Sequence, residues 1–340
     1  MNSSSKSCSL DNKRIKILYA AGFFLLLIAA LTGITLGGTP LHISEIISAF
    51  RNGFSTAGGR IFLYVRLPRT AASLICGAAL AVSGAVIQGV LANRLASPSI
   101  IGVNSGAGLA VTLCSALGIY GGLRLSFFAF LGAFATVMAV SLLARRIGAS
   151  RGTLILLGVA VNSLLNAFSA TGGTFIPEVG VVSNEFKVGE FSSVTYARLL
   201  PAAVLISVSI VILFTLTNEL DVLTLGEDNA RSLGLNTSLF RTLFIMLAAV
   251  LAGCAVSLAG LLSFVGLIVP HAVRRVAGSK ASHLLPLSAI FGGAFVCLCD
   301  TGARTLFSPY EIPVGIIMAF LGAPFFVFIL IKGKGGHTVA

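Results

Sequence analysis

Charge is what this 340-residue sequence has least of. Only 10% of its residues are charged and 56% are hydrophobic, where a soluble domain carries about 25% and about 45–50%. An ordinary soluble domain is excluded. The four histidines, His42, His271, His283 and His337, are scattered, so no catalytic constellation forms. No GxxxxGK[ST] loop exists, and the chain has no ATP site of its own. No carboxylate pair falls in mid-span. Asp300 and Glu311 come nearest, and both lie near span ends, which argues against coupling to an ion gradient. Of six cysteines, five sit in apolar runs as small core residues. Only Cys297-x-Cys299 approaches a ligand spacing, and no metal site is expected. Cys8 lies among serines without the small-residue run of a processed signal, so the first span is expected to be retained.

Long apolar runs are what the sequence has most of. A bilayer crossing takes about 20 apolar residues, and ten spans are expected: 16–37, 67–91, 98–118, 125–145, 153–174, 199–217, 240–262, 264–275, 283–303 and 313–332. The eighth is short. The runs do not alternate as barrel strands do, so the fold class is all-α, a polytopic bundle. Ten spans put both termini on one side. That side carries fifteen of the twenty-three Lys and Arg, from Lys6 to Lys334, which makes it cytoplasmic by the positive-inside rule. The net charge of +12 thus reflects membrane orientation, not nucleic acid. Outside lie residues 38–66, amphipathic through Leu41, Ile43, Ile46 and Ile47, and residues 175–198, with Glu178, Glu185, Lys187 and Glu190. Each is expected to form a surface helix. Ala81-Val82-Ser83-Gly84 in span two is echoed by Ala255-Val256-Ser257 and Gly260 in span seven. With a five-span offset, that echo predicts an inverted repeat of spans 2–5 and 7–10, a transporter feature.

Four of the eleven acids fall in one stretch, Thr217 to Arg241. Its inner part reads as a short capped helix. Thr224 is the expected N-cap, with Glu227 completing a capping box, and Gly234 is the expected C′ stop. Leu225, Ala230 and Leu233 offer the helix a small apolar face. About eight residues cannot hold a helix in water, so the stretch is either a docking surface or a plain solvated loop.

Arg66 and Arg69 open the second span and Arg304 closes the ninth, on the outer face. They can anchor an acidic partner or snorkel to the interface; charge alone favours snorkelling. Asn93 to Pro98 forms the tight turn after span two. Pro98 suits the first turn of a helix.

Three segments together resemble a known family. RLPRTAASLICGAALAVSGAVIQGVLANRLASPSIIGVNSGAG (66–108), SFVGLIVPHAVRRVAG (263–278) and EIPVGIIMAFLGAPFFVFIL (311–330) are similar to permease subunits of the iron-siderophore, haem and cobalamin ABC importers, the FecCD-type family of type II importers. The resemblance implies a single transmembrane permease domain over 1–340, in a dimer with a second copy or a paralogue. Two cytoplasmic ATPase subunits, which use ATP and Mg, and an extracytoplasmic binding protein complete the assembly. This chain itself is expected to bind no cofactor and no metal, to be no enzyme, and to sit in the bacterial cytoplasmic membrane among lipid.

The resemblance also implies roles for particular residues. Residues 216–239 become the ATPase-coupling segment, with Thr224, Leu225, Gly226, Glu227, Asp228, Ala230, Arg231, Leu233 and Gly234 as contacts. Arg66, Arg69 and Arg304 become the binding-protein dock, and Asn93, Leu95, Ser150 and Thr153 the cytoplasmic gate. The chain departs from the family where it has Cys299-Asp300 in span nine and Gly278-Ser279-Lys280-Ala281-Ser282-His283 after span eight. The expected function is translocation of a metal chelate, ferric siderophore first, with haem or cobalamin as alternatives, by alternating access. An ion-coupled secondary transporter and a non-transporting membrane scaffold are the rivals.

Overall fold

The computed structural model describes residues 2–37, 56–147 and 151–333, with side chains for 13–37, 56–147, 151–328 and 331. The described residues form helices and no strand. In chain order these are α1 Asn2–Thr35, α2 Ala57–Val90, α3 Val103–Ala116, α4 Gly122–Arg146 and α5 Arg151–Phe175. There follow α6 Pro177–Val188, α7 Tyr196–Thr215, α8 Thr217–Thr224 and α9 Glu227–Ser232. The chain closes with α10 Thr237–Ala259, α11 Val265–Ala277, α12 Ala281–Thr305 and α13 Val314–Gly333.

Each of the ten expected spans has its helix. Seven are long and apolar enough to cross a bilayer. At 14 and 13 residues, α3 and α11 are too short, since about 1.5 Å per residue leaves them near 20 Å against a hydrocarbon core of about 30 Å. Each is led by a non-helical stretch and entered through a left-handed residue, Gly102 (φ 106°) or Phe264 (φ 67°). The surface helix expected in 175–198 is α6. Leu41, Ile43, Ile46 and Ile47 lie outside the described residues.

Small residues explain why two helices can start in mid-bundle. A Cβ on Gly84, toward the C-terminal end of α2, would lie 1.9 Å from the Gly266 carbonyl oxygen near the head of α11. A Cβ on Gly106, near the head of α3, would lie 2.4 Å from the Gly132 carbonyl oxygen of α4. Irregular backbone at this depth is tolerated only where protein covers it or a cavity opens. Both conditions are met. The lead-in stretches converge on a cavity of about 310 Å³, lined among others by Ser97, Pro98, Ser99, Ser263 and Phe264.

The order long, short, long, long therefore occurs twice, in α2–α5 and α10–α13. The first members are adjacent and antiparallel. The Ser83 hydroxyl donates to the Ala248 carbonyl at 2.7 Å, while Cys76 Sγ meets the Ala255 carbonyl at 3.8 Å. That is the geometry an inverted repeat requires. Helices α2 and α10 form the heart of the bundle and bury 78% of their most apolar windows, against 17% for α1 and α5. The five described cysteines are buried and free, and no metal-binding cluster occurs among the described residues.

Gly84→Ala is expected to lower stability by about 1–3 kcal/mol, as overpacking does. Gly108→Ala, where a Cβ meets nothing within 4 Å, should be close to neutral. Thermal unfolding of the two variants in detergent checks the contrast.

Candidate functional site

Two polar features lie at opposite ends of the bundle. The first is the segment 217–236, and the structure corrects its expected form. There are two helices, not one. Thr224 does not cap a helix; it closes α8, and its hydroxyl donates back to the Asp221 carbonyl at 2.6 Å. The cause is apolar. Leu220 and Leu223, three residues apart, are each 2% exposed, and their burial carries helix through the expected cap. The turn falls instead at Gly226 (φ 107°), which serves as N-cap of α9 with no side-chain bond.

Glu227 forms no capping box. Its carboxylate meets Arg241 at 2.9 Å and Arg231 at 3.7 Å, and so ties α9 to the first turns of α10. Helix α9 has six residues, where about eight were expected. Its end follows the expectation. Gly234 takes φ 82°. Its N–H donates to the Arg231 carbonyl at 2.9 Å, and that of Leu235 to the Ala230 carbonyl at 3.0 Å. This is a Schellman motif. The expected apolar face is split. Ala230 is fully buried, while Leu225 and Leu233 are 58% and 66% exposed and flank the exposed Asp228. The two leucines thus stand exposed on an anchored turn.

The second feature is the arginine cluster at the other end. Arg66 and Arg304 cap the C-terminus of α1, whose last turn holds no basic residue. Arg66 donates to the Ile34 carbonyl at 2.9 Å and to the Thr35 carbonyl. Arg304 donates to the Gly33 carbonyl at 3.1 Å. Cations suit the negative end of a helix dipole. Asp300 is fully buried between Arg69 at 3.0 Å and Arg304 at 3.2 Å. Arg69 also meets Glu311 at 2.8 Å. All three arginines are buried, so they do not snorkel. The member of the network that reaches solvent is Glu311, with 44% of its side chain exposed.

Of the gate residues, Asn93 folds an Asx turn by accepting the Leu95 N–H at 2.9 Å. Leu95 is 40% exposed. Thr153 is exposed in the first turn of α5, and Ser150 lies outside the described residues. The turn leads into Pro98–Ile101, with Pro98 in the first turn of a 3-10 helix as expected. Helix α5 rests there. The Asn162 amide donates to the Ser99 and Ile100 carbonyls at 3.0 and 3.1 Å, and its oxygen accepts from Ser105. Sequence reasoning missed Asn162. The available signal was an amide in the middle of an apolar run, which is costly in a membrane unless it is bonded.

Broken helices around a cavity in a membrane-spanning bundle are a transporter architecture. Residues 25–332 match the FecCD transport family. The iron-uptake system permease protein FeuB of Bacillus subtilis is 35% identical over 82% of this chain and 84% of its own. The hemin transport system permease protein HmuU of Yersinia pestis is 32% identical over 95% of this chain and 98% of its own. A solved inward-facing conformation of a metal-chelate type ABC transporter superposes with TM-score 0.83 at 32% identity, covering 93% of this chain and 99% of that one. The chain belongs to the FecCD transport family and is a multi-pass ABC transporter permease.

Removing the shared anion of the arginine cluster leaves buried Arg304 without an ionic partner and Arg69 with Glu311 alone. Asp300→Ala is therefore expected to destabilise by about 3–5 kcal/mol, read as loss of folded protein in the membrane fraction and a lower Tm in detergent.

Proposed function

We propose that this chain passes a metal chelate, ferric siderophore before haem or cobalamin, across the bacterial cytoplasmic membrane by alternating access. It works as one half of a permease dimer with a second copy or a paralogue. Two ATPase subunits supply the energy from ATP and Mg, and an extracytoplasmic binding protein delivers the cargo. The observation that carries this reading is the α9 turn: two exposed leucines on a short helix pinned by the Glu227–Arg241 pair, in a chain without an ATP site. A partner must cover those leucines and bring the energy. The face holding α8 and α9 is then cytoplasmic. Residues 216–239 form the coupling segment, with both termini on that same side.

Helix α5 supports a path between two copies. Ser163, Asn166, Thr171 and Thr174 are exposed along it, and such residues suit water or a second helix better than lipid tails. A carrier that needs no tight hold on its cargo is consistent with a path free of fixed charge. The relatives named for iron uptake and hemin support a chelate, and their spread leaves iron-siderophore as the broadest class. The ion-coupled alternative lacks support: the buried carboxylate Asp300 is fully occupied by two arginines.

Proteoliposomes holding the complete importer, loaded with ATP, should take up a radiolabelled ferric trihydroxamate in preference to hemin or cobalamin. Uptake should persist when ionophores collapse ion gradients. Uptake that needs a gradient and ignores ATP overturns the reading.

Arg66, Arg69 and Arg304 we assign to the binding-protein end. Arg69 is the member whose partner, Glu311, is open to solvent, so an incoming carboxylate competes with Glu311 there. Glu311→Gln is expected to tighten association with the binding protein several-fold at low salt, an effect that shrinks as salt rises. Unchanged association across a salt series argues against the assignment.

A further inference from the structure

Helix α8, not expected from the sequence, packs beside α7 and α10 and is attached to three further spans. Its Leu220 methyl lies 3.1 Å from where a Cβ on Gly89 of α2 would stand. Its Asp221 carboxylate accepts the Ala281 N–H at the head of α12 at 2.9 Å. Its Leu223 carbonyl, in the last turn of the helix, accepts from Arg151 Nη2 at 3.1 Å beside the Gly226 N–H at 3.4 Å. Arg151 is the first residue of α5.

The three attachments are not equivalent. Helix α2 belongs to the buried heart of the bundle, whereas α5 buries only 17% of its most apolar window. A push on α8 moves the span that is held least. Beside its packing along α3, α4 and α6, α5 rests on the 3-10 helix at one level. A Cβ on Gly158 would stand 2.3 Å from the Ile100 carbonyl oxygen, and Asn162 bonds the same short 3-10 helix. Arg151 to Asn162 is roughly 16 Å of helix at about 1.5 Å per residue. The exposed polar residues Asn166, Thr171 and Thr174 lie beyond. Helix α5 is thus tied to α8 at its first residue, to the 3-10 helix one level further on, and to α3 and α6 at its far end, where a Cβ on Gly172 or Gly173 would stand 2.8 Å from Thr112 or 3.1 Å from Gly180.

We infer that Arg151 is the strut through which displacement of the α8–α9 segment tilts α5 about its Gly158–Asn162 contact. Arg151 is a positioning residue; it touches neither cargo nor nucleotide. A helix-terminal carbonyl is a suitable anchor for such a strut. It carries the negative end of the α8 dipole, and a guanidinium reaches it without burying a second charge. The inference rests on the importer reading above.

The test uses the complete importer in proteoliposomes, with ferric trihydroxamate uptake and ATP hydrolysis measured together. Arg151→Ala is expected to lower uptake roughly tenfold, inside the usual 5–150-fold range of coupling between sites, while binding-protein-stimulated hydrolysis continues. Arg151→Lys, which still donates to the Leu223 carbonyl, is expected to restore most of the uptake. Equal uptake by Arg151→Ala and wild type overturns the strut, as does loss of hydrolysis together with uptake or a Lys variant as inactive as the Ala one. Failure of the wild-type chain itself to transport counts against the importer reading, whatever Arg151 does.

Discussion

Helix α2 can lie against the head of α11 because neither Gly84 nor Gly266 has a side chain. A Cβ on Gly84 would fall 1.9 Å from the Gly266 carbonyl oxygen, so the backbones themselves are in contact. Without that approach α11 could not begin in mid-bundle, and the non-helical lead-in 260–264 would lose its cover. An uncovered peptide group in hydrocarbon costs several kcal/mol. The Gly106–Gly132 contact serves α3 in the same way. Close packing of small residues is therefore what permits broken helices here, and broken helices open the central cavity lined by Ser97, Ser99 and Ser263.

Charge is distributed by the same constraint. Buried ionic groups must be compensated, and the chain compensates its own at the ends of helices. Asp300 serves Arg69 and Arg304 together, while Arg66 and Arg304 cover the open carbonyls of α1. The effect is a clamp joining α1, α2 and α12. At the other end the ion pairs are more open to solvent: Arg231 is 63% and Glu227 33% exposed. Exposed pairs contribute little to stability, and the α9 turn is accordingly the less firmly built of the two ends.

Hydrophobic periodicity and run length made the ten helices legible, down to the short eighth span. Turn chemistry located the end of α9 at Gly234, since a residue with φ near 82° is most readily glycine. What stayed hidden had causes outside the local sequence. Thr224 and Glu227 match a capping box in spacing, yet burial of Leu220 and Leu223 against α2 outweighed it and ran helix through Thr224. Tertiary packing of this kind exceeds a cap, which contributes about 1 kcal/mol. The arginines were read as outward because they sit at span ends. Their inward turn depends on the α1 carbonyls and, for Arg69, on Asp300, partners more than 30 residues away in the chain, while the Arg304–Asp300 pair is local. Asn162 was legible in principle, as a lone amide in an apolar run, but its acceptors Ser99 and Ile100 lie over 60 positions earlier.

The division of the polar segment into two helices changes what it can do. A single helix from Thr224 to Gly234 would have to dock and transmit with the same few residues. In the structure Leu225, which closes α8, and Leu233, which closes α9, face outward, while α8 turns Leu220, Asp221 and the Leu223 carbonyl inward to α2, α12 and α5. Gly226, at φ 107° with nothing within 4 Å of a Cβ, separates the two, and the Asn229 amide donates across the turn to the Leu225 carbonyl at 2.9 Å. The Glu227–Arg241 pair then keeps α9 from swinging freely, because it fixes α9 to the first turns of α10. A load on the leucines is thereby shared between α10, which is deeply buried and resists, and α8, whose contact with the loosely packed α5 does not.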